Sequence, residues 1–98
     1  MGNSLKSANF LIRSRLRDAA HGDSMACYDL GVAYSTGTAG VSLDLVEAHK
    51  WFNLAAIAGD EAAQTARAEI AEDMTAREIA TAQRAARDWL GLHRVRAA

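Results

Sequence analysis

One short pattern occurs twice in the chain and limits what it can become. Ala19 to Ala26 reads "AAHGDSMA", and Ala55 to Ala63 reads "AAIAGDEAA". Gly22 and Gly59 lie 37 residues apart, and the pairs Asp23/Asp60 and Ala26/Ala63 keep the same offset. Glycine after a helical run favours a stop, and the aspartate behind it favours a new start. A period in this range, with two helices per unit, points to a solenoid of antiparallel helical hairpins. Each hairpin has an apolar face that it cannot bury alone, and the next hairpin covers it.

The segments between these joints carry helical periodicity. Leu5, Ala8, Ile12, Arg15, Leu16 and Ala19 recur at steps of three and four, which predicts a first helix over 4–20 with Phe10 and Leu11 widening its stripe. A second helix is expected over 24–35, with Ala26, Leu30, Ala33 and Tyr34 inward. Gly31 inside it costs roughly 1 kcal/mol against alanine. Its presence suggests that a neighbouring helix comes very close. After a loop, "TGTAGVS", a third helix spans 44–58, with Asp44 and Glu47 spaced as a capping box. Its inward face is Leu45, Ala48, Phe52, Ala55 and Ala56, widened by Trp51 and Leu54. His49, Lys50 and Asn53 fall on the outer side or its margin. A fourth helix follows over 61–72, facing inward through Ala63, Ala66, Ile70 and Met74. Thr75 and Glu78 form a second capping box, opening a fifth helix to Leu90 with Ile79, Ala82, Ala86, Trp89 and Leu90 inward. Gly91 is expected to stop it before a basic tail, 92–98.

Composition agrees with this plan. The 98 residues include 22 alanines and no proline, as suits helices packed closely and joined by short turns. Residues 1–17 hold four bases and no acid, residues 18–78 eleven acids and three bases, and residues 79–98 four bases and one acid. An acidic middle between basic ends fits either a partner surface or a solvated helical face.

The motifs around the first joint resemble the Sel-1-like repeats, relatives of the tetratricopeptide repeats. Gly22, Ala26, Leu30-Gly31, Tyr34, Gly37, Gly40-Val41, Asp44, Ala48, Trp51-Phe52, Ala55-Ala56 and Gly59 occupy that family's pattern, with one extra residue in "GTAGV". The departures lie on both sides. Arg67-Ala68 and Ala71 stand at the next Leu-Gly and Tyr positions, and Ser14-Arg15 at the preceding Trp-Phe positions. The resemblance implies an all-α, right-handed α/α superhelix of about five helices forming a single domain. Its parts would be an N-terminal helix (4–20), a complete repeat (23–59), and a degenerate repeat with a capping helix (60–91). The ending "MTAREIATAQRAARDWL" is similar to tails that follow such repeats in bacterial proteins, which implies a small stand-alone bacterial member.

Residue chemistry gives little support to catalysis. His49 and Lys50 are neighbours on a helix and point about 100° apart, so they do not converge on one substrate atom. Cys27, the single cysteine, has no base near it in sequence and reads as a small buried thiol. His21, His49 and His93 show no metal-ligand spacing, and no phosphate-cradling motif is present. No cofactor or metal is expected, and no enzymatic activity. Nucleic-acid binding would rest on Arg13, Arg15 and Arg17 or on Arg84, Arg87, Arg94 and Arg96, but the acidic middle opposes a phosphate backbone. The N-terminus lacks a signal-like apolar run and the myristoylation pattern, and no stretch reaches membrane-spanning length, so a cytoplasmic location is expected.

The resemblance implies a protein-interaction module whose concave face is lined by the first helix of each hairpin. Those positions are Met25, Tyr28, Val32 and Ser35 on one helix, and Ala62, Thr65, Glu69 and Glu72 on the next. Tyr28, Val32, Ser35, Thr65, Glu69 and Glu72 are the candidate contact residues, with the two glutamates three apart and suited to a partner segment bearing Lys or Arg. The glutamates also fit an ordinary solvated face. An alternative function is self-association, with incomplete terminal repeats stacking on another copy.

Overall fold

The computed structural model describes residues 2–94, with side-chain surroundings for residues 9–93. Five helices follow one another among these residues: α1 (Gly2–Ala20), α2 (Ser24–Thr36), α3 (Leu45–Ile57), α4 (Glu61–Ala71) and α5 (Ala76–Arg94). No strand occurs among them. The molecule measures 39 × 37 × 22 Å.

The repeated pattern is a joint, and both copies are built alike. At the first, the Gly22 N–H donates to the Ala19 carbonyl (3.0 Å) and the Asp23 N–H to the Asp18 carbonyl (3.1 Å). At the second, the Gly59 N–H donates to Ala56 (3.0 Å) and the Asp60 N–H to Ala55 (3.0 Å). These are the paired bonds of a Schellman stop, and they need a left-handed residue. Gly22 (φ 88°) and Gly59 (φ 103°) supply it. The aspartates then turn round to serve as N-caps. Asp23 accepts from the Met25 and Ala26 N–H groups, and Asp60 from the Ala63 N–H. The same glycine stop and aspartate cap therefore reverse the chain at α1/α2 and at α3/α4.

α3 is the centre of the packing. It lies against α2, α4 and α5, while α1 packs on α2. Leu30, Ala48, Trp51, Phe52, Ala55, Ala63, Ala82 and Ala86 are buried where these helices meet. Small residues at the contacts let the backbones approach, as the alanine content predicts. Gly31 marks a close approach of α2 to the Phe52 ring of α3. A Cβ there would stand 2.5 Å from two carbon atoms of the Phe52 ring, so the expected packing role of this glycine is met directly.

The α2–α3 connection carries the extra residue seen in the sequence. Gly37 (φ 69°) closes α2. The Val41 N–H then donates to the Thr38 carbonyl (3.2 Å) across Ala39 (φ 57°) and Gly40 (φ 86°). Positive φ at both central positions is what a type I′ turn requires. The Asp44 N–H donates to the Tyr34 carbonyl (2.8 Å), which ties the end of the loop back to α2.

Four local expectations need correction. The Asp44–Glu47 box is only half made. Asp44 accepts from the Glu47 N–H (3.1 Å), but the Asp44 N–H is already committed to Tyr34, and the Glu47 carboxylate faces Lys50 instead. The Thr75–Glu78 box, in contrast, is closed in both directions, at 2.8 and 3.1 Å. Gly91 does not stop α5, which continues through it to Arg94. The extra turn lets the His93 Nδ1–H donate to the Trp89 carbonyl (2.8 Å) and stacks the two rings 3.8 Å apart, offsetting the cost of a helical glycine. On α1, Ile12, Leu16 and Ala19 face the core, but Arg15 leaves the stripe and pairs with Asp29 of α2 at 3.1 Å. Phe10 and Leu11 point to solvent, because α1 is covered on one side only. The side chains of Leu5 and Ala8, and residues 95–98 of the basic tail, lie outside the described set.

Candidate partner-binding surface

Tyr28, Val32 and Ser35 are spaced three and four apart, so they share one face of α2. Val32 is exposed and Ser35 half-buried, its hydroxyl donating to the Val32 carbonyl (3.1 Å). Tyr28 is half-buried, with its ring tilted against Phe52 at a centroid distance of 5.5 Å. That contact fixes the ring on α3 and leaves one part of it for solvent. Thr65, Glu69 and Glu72 share the face of α4 turned away from Ala63, Ala66 and Ile70, and all three are exposed. Met25 and Ala62, the two further positions that the resemblance implied for a concave face, are both exposed. α2 and α4 have no substantial interface with each other, and both rest on α3.

Charge on this surface is unbalanced. Glu61, Glu69, Glu72 and Asp73 of α4 and its flank are exposed, and none of them forms an ion pair among the described residues. Arg67 is the only base on α4, and it points the other way, donating from Nη1 to the Asn53 Oδ1 of α3. The acidic excess read from the sequence is therefore presented outward.

Of the three residues expected on the outer side of α3 or its margin, His49 and Lys50 are both held within the fold. His49 is 4 % exposed, which overturns its reading as a solvated residue. α4 packs over that margin of α3, and the Asn53–Arg67 contact closes it. His49 Nδ1 finds no hydrogen-bond partner among the described residues. Burial first, and the nearby Arg67 charge second, hold its pKa below the ordinary 6.5. The folded state thus keeps the imidazole neutral, while the unfolded chain takes up the proton. Stability carried by this site is complete above the unfolded value and is lost as pH falls below it. Urea unfolding at pH 7.5 and 5.5 (about one unit either side of the ordinary value) should show the chain weaker in acid. His49→Leu should remove a distinct part of that difference, and equal pH dependence in both chains would refute the assignment.

Lys50 is likewise committed. Its Nζ lies 3.1 Å from the Glu47 carboxylate, 4.4 Å from the centre of the Trp51 ring and 5.9 Å from that of Trp89. Trp51 and Trp89 meet edge-to-face at 4.8 Å. This cation and the two indoles fasten α5 to α3. The i,i+3 spacing of Glu47 and Lys50 signals their own pairing, while the contact with Trp89 on α5 has no local sequence signal. Cys27 is buried, and its thiol is pushed up to about 11, by burial first and by Asp23 second. It stays protonated at neutral pH and behaves as a small apolar group.

The described residues contain no cluster of three or more side chains suited to a metal ion, and no helix long and apolar enough to cross a membrane. What the geometry defines is a helical-hairpin repeat: α2 and α3 packed along their length, with the same joint on either side. The family model of the Sel1 repeat matches residues 24–60, a span that takes in α2, the I′-turn loop, α3 and the capping Asp60. The chain is similar to Sel1-repeat proteins over that segment. No curated protein and no solved structure matches it.

Proposed function

We propose that the chain is a protein-interaction module whose partner offers a segment bearing Lys or Arg. Sel1 repeats generally serve protein–protein interaction, and the match over 24–60 supports that general role. The observation that carries the finer reading is the α4 face of Thr65, Glu69 and Glu72, exposed and without an ion-paired base among the described residues. On α2, the exposed Val32 and the half-buried Tyr28 add apolar and aromatic surface for such a partner. Such a surface binds by shape and charge, and no bond-making chemistry is part of the reading.

A fluorescein-labelled peptide of alternating Arg and Leu is a suitable probe, read by anisotropy against the full chain. Charge reversal by Glu69→Lys with Glu72→Lys should weaken binding at least ~10-fold, and added salt should weaken it in the wild type. Equal affinity in the wild type and the double variant would sink the proposal.

A further inference from the structure

The outer face of α1 over 10–17 is left uncovered by the fold. α1 faces α2 through Ile12, Leu16 and Ala19. On the opposite side, Phe10, Arg13 and Arg17 follow one another at i, i+3 and i+7, and all three are exposed. Phe10 is 67 % exposed, and Leu11 beside it 40 %. Arg13 forms no ion pair among the described residues, and Arg17 has only Asp18, at 4.0 Å. The face is therefore an apolar ring among bases, on a helix whose other side is already anchored.

The same chain carries the matching surface. The face of α4 is acidic and has no base of its own, and Met25 and Val32 of α2 are exposed apolar side chains. We infer that the outer face of α1 docks on the α2/α4 face of a second copy of this chain. Arg13 and Arg17 would then meet Glu69 and Glu72, with Phe10 against Met25 and Val32. This deepens the proposed function, on which it rests, by naming the basic segment. The occupant is a second copy because α1 cannot reach its own chain's α2/α4 face. It is held in place by the Ile12–Leu16–Ala19 contact and by the Arg15–Asp29 pair. The contact joins two different surfaces, so copies assemble either into a closed ring or into an open head-to-tail chain, according to whether the rotation between them closes.

The test is the mass of the full chain by light scattering from micromolar to millimolar concentration, at low and high salt. The wild type should rise above its monomer mass of 10.5 kDa with concentration and fall back with salt. Arg13→Glu with Arg17→Glu should weaken association ~10-fold or more, as should Glu69→Lys with Glu72→Lys, because each places like charges opposite one another. All four sites are exposed, and unchanged thermal unfolding would show that the variants fold. Mixing the two variants should restore association, since the reversed helix matches the reversed surface. A wild type that stays monomeric throughout overturns the inference. If it still binds the Arg–Leu peptide in a Glu69- and Glu72-dependent way, the proposed function stands without it. A wild type that associates equally well with α1 reversed also overturns it. Association and peptide binding both untouched by Glu69→Lys and Glu72→Lys would remove the acidic face from both.

Discussion

Replacing Trp51 by alanine is expected to lower unfolding stability by about 3–5 kcal/mol, the range for deleting a buried large aromatic. A domain of this size commands roughly 5–15 kcal/mol in total, so the variant should be near the edge of folding. Three contacts go at once. Trp51 is 1 % exposed and fills the space between α3 and α5. Its edge-to-face contact with Trp89 at 4.8 Å is lost, and so is the ring under the Lys50 ammonium at 4.4 Å. Trp51→Phe separates ring packing from the polar atom. The indole Nε1 is buried without a hydrogen-bond partner among the described residues, so removing its N–H carries no lost bond. Phenylalanine should therefore recover most of the loss, leaving about 1–2 kcal/mol for the smaller ring. Urea unfolding followed by far-UV dichroism checks both. A Phe variant as unstable as the Ala variant would mean that the bicyclic shape, rather than aromatic bulk, holds α5 in place.

The joints and the central hairpin could be read in advance because their signals are local. A Gly-Asp pair after a helix has one cheap conformation, and Gly22 and Gly59 both adopt it. Apolar spacing located the inward faces of α3, α4 and α5, and Gly31 announced a close approach. What escaped was set by partners distant in sequence. His49 lies at the margin of α3, and whether that margin is wet depends on where α4 lands. The departure of Arg15 from the α1 stripe required knowing that Asp29 stands opposite. Phe10 and Leu11 extend an apolar stripe on paper, yet a helix packed on one neighbour buries only one side. Gly91 looked like a stop because glycine often is one. The stacking of His93 on Trp89 that keeps the helix going is invisible to a local rule. The acidic face of α4 was legible as composition. Its freedom from ion pairing among the described residues is a property of the fold.

Gly31→Ala should destabilise the chain although it replaces a poor helix former by the best one. The propensity gain is roughly 1 kcal/mol in favour of alanine. Against it, the new methyl would sit 2.5 Å from Cδ1 and Cε1 of Phe52 and 2.9 Å from Cγ, a distance at which something must move. Phe52 is a poor candidate to move. It is 2 % exposed, and Tyr28 lies against its ring at 5.5 Å. α2 and α3 must then separate along the best-packed interface of the fold, and overpacking of this kind costs about 1–3 kcal/mol. Because the clash is with a rigid ring, the upper part of that range applies, and a net loss of about 1–2 kcal/mol is expected. The double variant Gly31→Ala with Phe52→Leu distinguishes this cause from any other. Phe52→Leu alone removes buried surface and should destabilise, but combined with Gly31→Ala it also removes the clash. The two losses should therefore fall short of additivity by ~1 kcal/mol or more. Additive losses would place the strain elsewhere than between these helices.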